Sequence, residues 1–212
     1  MFFDNILWTT WILLLALIVY LIRIKKLKGW ERVVFLIIVL NGCADILASV
    51  GLQLFEKEYS GIIYNILAPV QRILTLMLYS SNTHVKEERY LNYGGTVVLI
   101  MVSFGGHFYY QDFNDFHQVP YIILGLIVAI LSYIHLRNMI LEKTGDSVII
   151  AAFSLANFIY LTLMISSISA VELAYKIDPE FGKLIYFLGN GIGYILWSII
   201  LIIGILWKKH KI

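Results

Sequence analysis

The 212-residue chain is 60% hydrophobic and only 14% charged, with a mean hydropathy of +0.82, whereas a water-soluble domain keeps about a quarter of its residues charged, so a soluble globule is excluded. The formal net charge is +2, from 16 Lys and Arg against 14 Asp and Glu, which provides no strongly basic surface and gives no reason to expect nucleic acid as a partner. The lone cysteine, Cys43, lies inside an apolar run, which excludes a disulfide framework and a thiolate metal site.

Runs of about 20 apolar residues, enough to cross roughly 30 Å of hydrocarbon, predict spans near 5–24, 32–54, 62–81, 93–111, 119–138, 147–172 and 183–207. The expected fold is therefore all-α: one polytopic seven-transmembrane helix bundle covering residues 1–212. The connections are short and hold the charges and breakers, among them Lys25 to Gly29, Glu56 to Glu58, Lys86 to Arg89 and Glu142 to Asp146. Loops this brief force consecutive helices to lie antiparallel and leave no room for a soluble domain.

The first span has no basic segment before it, and a cluster of Arg23, Lys25, Lys26, Lys28 and Arg32 follows it, so it reads as a retained helix rather than a signal peptide. That cluster is a topology determinant, with attraction to anionic membrane lipid as the alternative reading. The second span carries Asn41, Asp45, Ser49 and Gln53 at i+4 spacing, one polar stripe. On the third, Asn65, Ala68, Arg72, Thr75 and Tyr79 follow a 3-4-3-4 rhythm with Gln71 beside it, a seam that must face protein or a wet cavity.

An ionisable group at membrane depth costs roughly 2.5–3.5 kcal/mol on insertion scales. Asp45 and Arg72 each lie about ten residues, or roughly 15 Å, below the outer ends of their spans, and a contact between them is expected to offset that cost. Pro69 has no N–H for the carbonyl of Asn65, which predicts a bend near Arg72 that acts either as a hinge or as simple packing.

The inner halves of the fourth and fifth spans read as largely apolar, and His135 beside Arg137 reads either as a proton site or as an interfacial anchor. The sixth contributes Ser154, Asn157, Thr162, Ser166, Ser169 and Glu172. The seventh carries Tyr186, Asn190, Gly193 and Trp197 in a 4-3-4 rhythm, with Gly189 and Gly193 forming a G-x-x-x-G that permits close helix approach. Helices two, three, six and seven are thus expected to enclose an outward-opening polar pocket, rimmed by Glu172 and His107. The alternative is that these groups only tie helix to helix.

Orientation follows from the cations. One side collects Arg23, Lys25, Lys26, Lys28, Arg32, Lys86, Arg89, Arg137, Lys143, Lys208, Lys209 and Lys211, and the other only Lys57, Lys176 and Lys183. The N-terminus is expected outside and the C-terminus in the cytoplasm. Two aromatic belts fit this: Trp8, Trp11, Tyr59, Tyr64, Tyr109, Tyr110, Tyr121 and Tyr175 outside, and Trp30, Tyr79, Tyr90, Tyr93 and Trp207 inside.

Several chemistries are excluded. A retinal protein needs a Schiff-base lysine in the middle of helix seven, and Leu184 to Leu206 holds none. His84, His107, His117, His135 and His210 lie on different elements without H-x-x-x-H spacing, so no zinc site is expected. No G-x-S-x-G, Walker loop or catalytic carboxylate pair appears. Neither catalytic residues nor a metal nor a cofactor are expected.

The layout as a whole, seven short-looped helices with a tyrosine-rich boundary and a Lys208-Lys209-His210-Lys211 end, resembles small bacterial seven-transmembrane inner-membrane proteins and the seven-helix input modules of bacterial histidine kinases. The resemblance implies a bacterial inner-membrane location and a sensing role. The expected function is a sensing or interaction module that binds a small or lipid-like ligand, or a membrane-protein partner or second copy, at Asp45, Arg72, Asn41, Ser49, Asn65, Gln71, Asn157 and Asn190 beside the hinge at Pro69. A small-solute or ion transporter and an oligomeric membrane-disrupting effector are the alternatives.

Overall fold

The computed structural model describes residues 2–54, 60–110, 118–141 and 147–207; the side chains of 2–10, 45, 48–54, 60–62, 107, 110 and 172 lie outside the described set. The fold is all-helical, with no strand among the described residues. Seven helices follow one another: α1 Phe2–Ile22, α2 Glu31–Leu54, α3 Ser60–Asn82, α4 Lys86–Tyr110, α5 Gln118–Leu141, α6 Val148–Ile177 and α7 Pro179–Trp207. A 3₁₀ turn, Ile24–Lys26, follows α1, and α7 contains one π segment, Phe187–Ile192.

Three of these, α5, α6 and α7, are long and apolar enough to cross a membrane at 24, 30 and 29 residues, or about 36–45 Å at 1.5 Å per residue. Their outward faces and those of their neighbours are studded with exposed apolar side chains, such as Trp11, Phe104, Phe108, Ile140 and Leu173. Water would penalise such a surface and lipid would not.

The helices form a closed ring. Each packs on its sequence neighbours, α1 closes against α7, and α3–α5 and α2–α6 contacts cross the interior. Polar contacts fix which ends lie together. Arg23 Nη1 donates to the carbonyl of Ile205 at 2.6 Å, joining the ends of α1 and α7. The Glu31 carboxylate accepts from the Lys28 backbone N–H and the Ser147 hydroxyl, each at 2.8 Å, joining the α1–α2 turn to the start of α6. That turn passes through Gly29 at φ +48°, a left-handed conformation glycine adopts without a Cβ penalty.

Helix boundaries extend beyond the apolar runs in one important place. The segment Lys86–Arg89, expected as a loop, is the first turn of α4. Exposed Lys86, Glu87 and Arg89 leave the third residue of that turn, Glu88, facing inward, because one helical turn presents at most one or two positions to the core.

Most hydroxyls in the bundle satisfy themselves on their own helix. Thr75, Ser80, Thr96, Ser103, Ser154, Thr162 and Ser166 each donate to the carbonyl four residues earlier, at 2.7–3.0 Å. These bonds are local to one helix, and Thr162 and Ser166 are exposed. Helix α3 runs without interruption through Pro69.

Candidate functional site

Two buried polar clusters occupy the interior. At the basic end, Glu88 accepts three hydrogen bonds: from His135 Nδ1 at 2.5 Å, Asn138 Nδ2 at 2.7 Å and the Thr83 hydroxyl at 2.8 Å. An amide NH₂ can only donate, and all three bonds end on the carboxylate, so the arrangement suits an ionised Glu88 with the imidazole hydrogen on Nδ1. Burial pushes the Glu88 carboxyl up, and the bonds from His135, Asn138 and Thr83 outweigh it and hold the group below the ordinary carboxylate value. Glu88 stands in the first turn of α4, ahead of the apolar run 93–111.

The His135 ring stacks on Tyr79 of α3, with centroids 4.5 Å apart and planes at 21°. From Tyr79 the contacts continue across the bundle. Trp197 Nε1, which can only donate, bonds Asn157 Oδ1 at 2.7 Å. That fixes the amide orientation, so Asn157 Nδ2 donates to the Tyr79 hydroxyl at 3.3 Å. The Tyr79 hydroxyl also shares a hydrogen bond with Ser132 Oγ at 2.9 Å. All of these side chains are buried.

The second cluster surrounds Arg72. Its guanidinium lies 4.1 Å from the centroid of the Tyr121 ring and donates Nη1 to the Tyr121 carbonyl at 2.9 Å, a cation–π and hydrogen-bond pair from one residue of α5. Tyr160 of α6 lies within electrostatic reach of the same guanidinium. Its hydroxyl donates to Asn190 Oδ1 at 3.3 Å, and Asn190 Nδ2 donates to the Tyr186 hydroxyl at 2.8 Å. A small cleft beside Arg72, about 20 Å³, is lined by Tyr64, Asn65, Pro69, Ser103, Pro120, Tyr121 and Leu124, which is room for about one water.

Between the clusters lies an apolar layer that includes Leu76, Val128 and Leu161, all buried. Aromatic rings bridge it on one side. Tyr160 meets Tyr194 edge-on at 5.6 Å, and Tyr194 stacks on Trp197 at 5.7 Å and 9°. A contact chain therefore runs from Tyr160, within electrostatic reach of Arg72, through Tyr194, Trp197, Asn157 and Tyr79 to His135 and Glu88.

The π segment Phe187–Ile192 sits at the upper part of this chain. It brings Gly189 so close to α6 that an added Cβ would lie 2.7 Å from the Leu163 carbonyl and overlap the Ser167 side chain. A wider turn of this kind re-aims side chains and recurs at functional sites; here it accompanies the turn of Asn190 towards Tyr160.

The sequence-derived residues are distributed as follows. Arg72, Asn65 and Pro69 belong to the upper region, with Asn65 and Pro69 in the cleft wall and Gln71 half-buried, its carbonyl accepting from Thr75. Asn190 joins the same cluster and Asn157 joins the lower chain, while Asn41 is half-buried on α2. The side chains of Asp45, Ser49, His107 and Glu172 lie outside the described residues, as therefore does the expected Asp45–Arg72 contact. The described polar contacts of the two interior clusters connect α3, α4, α5, α6 and α7; of the helix-two stripe only the side chain of Asn41 is among the described residues.

Sequence reasoning missed Glu88, Asn138 and Asn92, placed Tyr121 in an interfacial belt, and placed Tyr79 both in a belt and on the inward seam of the third span. Glu88, Asn92, Gly95 and Leu99 continue one 4-3-4 helical face, the signal that could have found the first of them. His135 is neither exposed nor at the rim; it is buried against Tyr79.

Among the described residues no group of three or more His, Cys, Asp or Glu is placed to hold a metal ion. No protein-family model, no curated protein and no solved structure matches the chain.

Proposed function

We propose that this chain is an integral membrane sensing or interaction module of seven spans in a bacterial inner membrane, with the N-terminus outside and the C-terminus in the cytoplasm. It takes up a small or lipid-like ligand, or a membrane partner, at the outer Arg72 cluster and passes the change to the cytoplasmic end at Glu88. The contact chain from Tyr160, which lies within electrostatic reach of Arg72, to Glu88 is the observation that supports this reading. Coupling across a bundle needs a contiguous set of packed or bonded groups with alternative arrangements, and a ligand shifts such a set only by binding one arrangement better.

Orientation has its own support. The end held together by the Arg23–Ile205, Glu31–Ser147 and Glu88–His135 contacts carries Lys25, Lys26, Lys28, Arg32, Lys86, Arg89 and Arg137, the pattern of a cytoplasmic face. Transport is the weaker reading, because the layer of Leu76, Val128 and Leu161 interrupts any polar route between the clusters.

The test reads the middle of the chain while perturbing its outer end. Indole N–H resonances of ¹⁵N-Trp protein in lipid nanodiscs are compared with those of Arg72→Gln and Tyr160→Phe, and Trp197 is assigned by Trp197→Phe. Both substitutions are expected to move the Trp197 resonance and leave that of Trp207 in place. If neither moves it in folded protein, the module reading fails.

A further inference from the structure

The lower cluster contains polar atoms its own architecture does not use. With Nδ1 on Glu88, the imidazole of His135 has its Nε2 buried and without a hydrogen-bond partner among the described residues. Asn92, fully buried, has both amide atoms in the same condition. The two lie at one level. Glu88 meets His135, and a Cβ on Gly95 would touch Leu131 and Ile127, so Asn92, one turn beyond Glu88 on α4, falls beside the turn of α5 between Leu131 and His135.

An unsatisfied buried polar group costs roughly 1–3 kcal/mol, and native interiors tolerate few. Three such atoms at one level of two packed helices point to a ligand. Its chemistry follows from theirs: an imidazole nitrogen lone pair is a base, an amide oxygen is an acceptor, and the adjacent carboxylate supplies a negative charge.

We propose that His135 Nε2 is a proton-binding site entered from the basic end, with Asn92 Oδ1 as the acceptor of the new N–H, directly or through one water. This deepens the module reading and rests on it for its consequence at Trp197. Uptake forms one N–H bond at Nε2, the proton coming from solvent, and no other covalent bond changes. The pair passes from a neutral imidazole beside a carboxylate to an imidazolium–carboxylate pair with no net charge, which removes an uncompensated buried charge.

The surroundings offer no competing counter-ion among the described residues. From α4 come Glu88 and Arg89, whose guanidinium donates to the Thr83 carbonyl at 3.0 Å. From α3 comes Tyr79, from α5 the exposed Arg137, and from α6 the uncharged Phe153, Ser154 and Asn157. His84, in the α3–α4 turn, is exposed. A charge on the ring acts directly on Tyr79, because the imidazolium then faces its π system at the stacking distance of 4.5 Å. Tyr79 is bonded to Ser132 and Asn157, and Asn157 to Trp197, so the proton's arrival reaches the contact chain.

The full chain, labelled with ¹⁵N-His and ¹⁵N-Trp in nanodiscs, is titrated with pH, and His135 is assigned by His135→Gln or by its proximity to the Tyr79 ring. The Nε2 shift is expected to pass reversibly from its unprotonated to its protonated value, the Trp197 indole is expected to follow the same curve, and His135→Gln is expected to abolish that curve. A His135 Nε2 shift that stays constant wherever the protein is folded overturns the proposal, as does a Trp197 curve that persists in His135→Gln. The two readings fail separately. If His135 titrates while Trp197 ignores both pH and Arg72→Gln, the proton site stands and the module reading falls; if Trp197 answers Arg72→Gln but His135 never changes, the reverse holds.

Discussion

Glu88 Oε1 and His135 Nδ1 lie 2.5 Å apart and join the first turn of α4 to the last turns of α5, with both side chains buried. A carboxylate in such a place is tolerated only because every donor around it is aimed at it. Remove one member, and the others are left desolvated.

Glu88→Ala is expected to destabilise the bundle by about 2–4 kcal/mol, since it strands His135, Asn138 and Thr83 together. Glu88→Gln should cost less, because an amide oxygen still accepts. Unfolding measured by steric trapping or by denaturant titration in bicelles checks the order; equal, negligible effects would contradict it.

The same carboxylate gives a pH dependence with a definite sign. The folded state holds Glu88 below its ordinary value, so its contribution is complete above the unfolded carboxylate range and is lost as pH falls through the lowered value. Wild-type stability should decline on the acid side more steeply than that of Glu88→Gln. A Glu88→Gln profile that parallels the wild type throughout would remove this account of the group.

Trp197 and Asn157 are bonded at 2.7 Å in the buried interior. Trp197→Phe and Asn157→Leu should each cost about 1–3 kcal/mol through the partner left unsatisfied. The double variant should cost less than the sum by about 1 kcal/mol, the coupling expected of residues in contact. Strict additivity would mean the bond contributes nothing.

Gly189 and Gly94 are opposite cases of one residue type. A Cβ at Gly189 overlaps Ser167 and comes within 2.7 Å of the Leu163 backbone, whereas at Gly94 nothing lies within 4 Å. Gly189→Ala should therefore force α6 and α7 apart and destabilise, with Ser167→Gly giving partial relief. Gly94→Ala should be neutral or stabilising by about 0.5–1 kcal/mol from helix propensity alone. Thermal stability of the three variants decides this, and a Gly189→Ala protein as stable as wild type would refute the close packing.

Helix number and order were legible because apolar length is a local property: the runs at 119–138 and 183–207 need no partner to be recognised. Arg72 stood out for the same reason, as a charge within an apolar run. Glu88 did not, because Lys86 to Arg89 reads as a solvated charge run. Its burial is decided by Thr83 nearby and by His135 and Asn138 some 47 and 50 residues away. Tyr79 was read both as part of the inward seam of the third span and as an interfacial ring, and Tyr121 from its distance to the helix end alone, which says how deep a ring sits but not whether it faces lipid or an arginine. The serines and threonines of α6 suggested a polar lining, yet Ser154, Thr162 and Ser166 bond their own helix. The spacing that marks a pocket wall also marks local carbonyl bonding.

All the functional readings stand on the chain crossing the membrane seven times with its basic end inside. Single cysteines introduced in a Cys43→Ser background at Lys28, His84, Thr144 and His210, and at Lys57, Asn114 and Asp178, can be probed in intact cells with a membrane-impermeant thiol reagent. Lys28→Cys, His84→Cys, Thr144→Cys and His210→Cys should be protected until the membrane is opened, and Lys57→Cys, Asn114→Cys and Asp178→Cys should react at once. Two consecutive positions reporting the same side would contradict the seven-span arrangement.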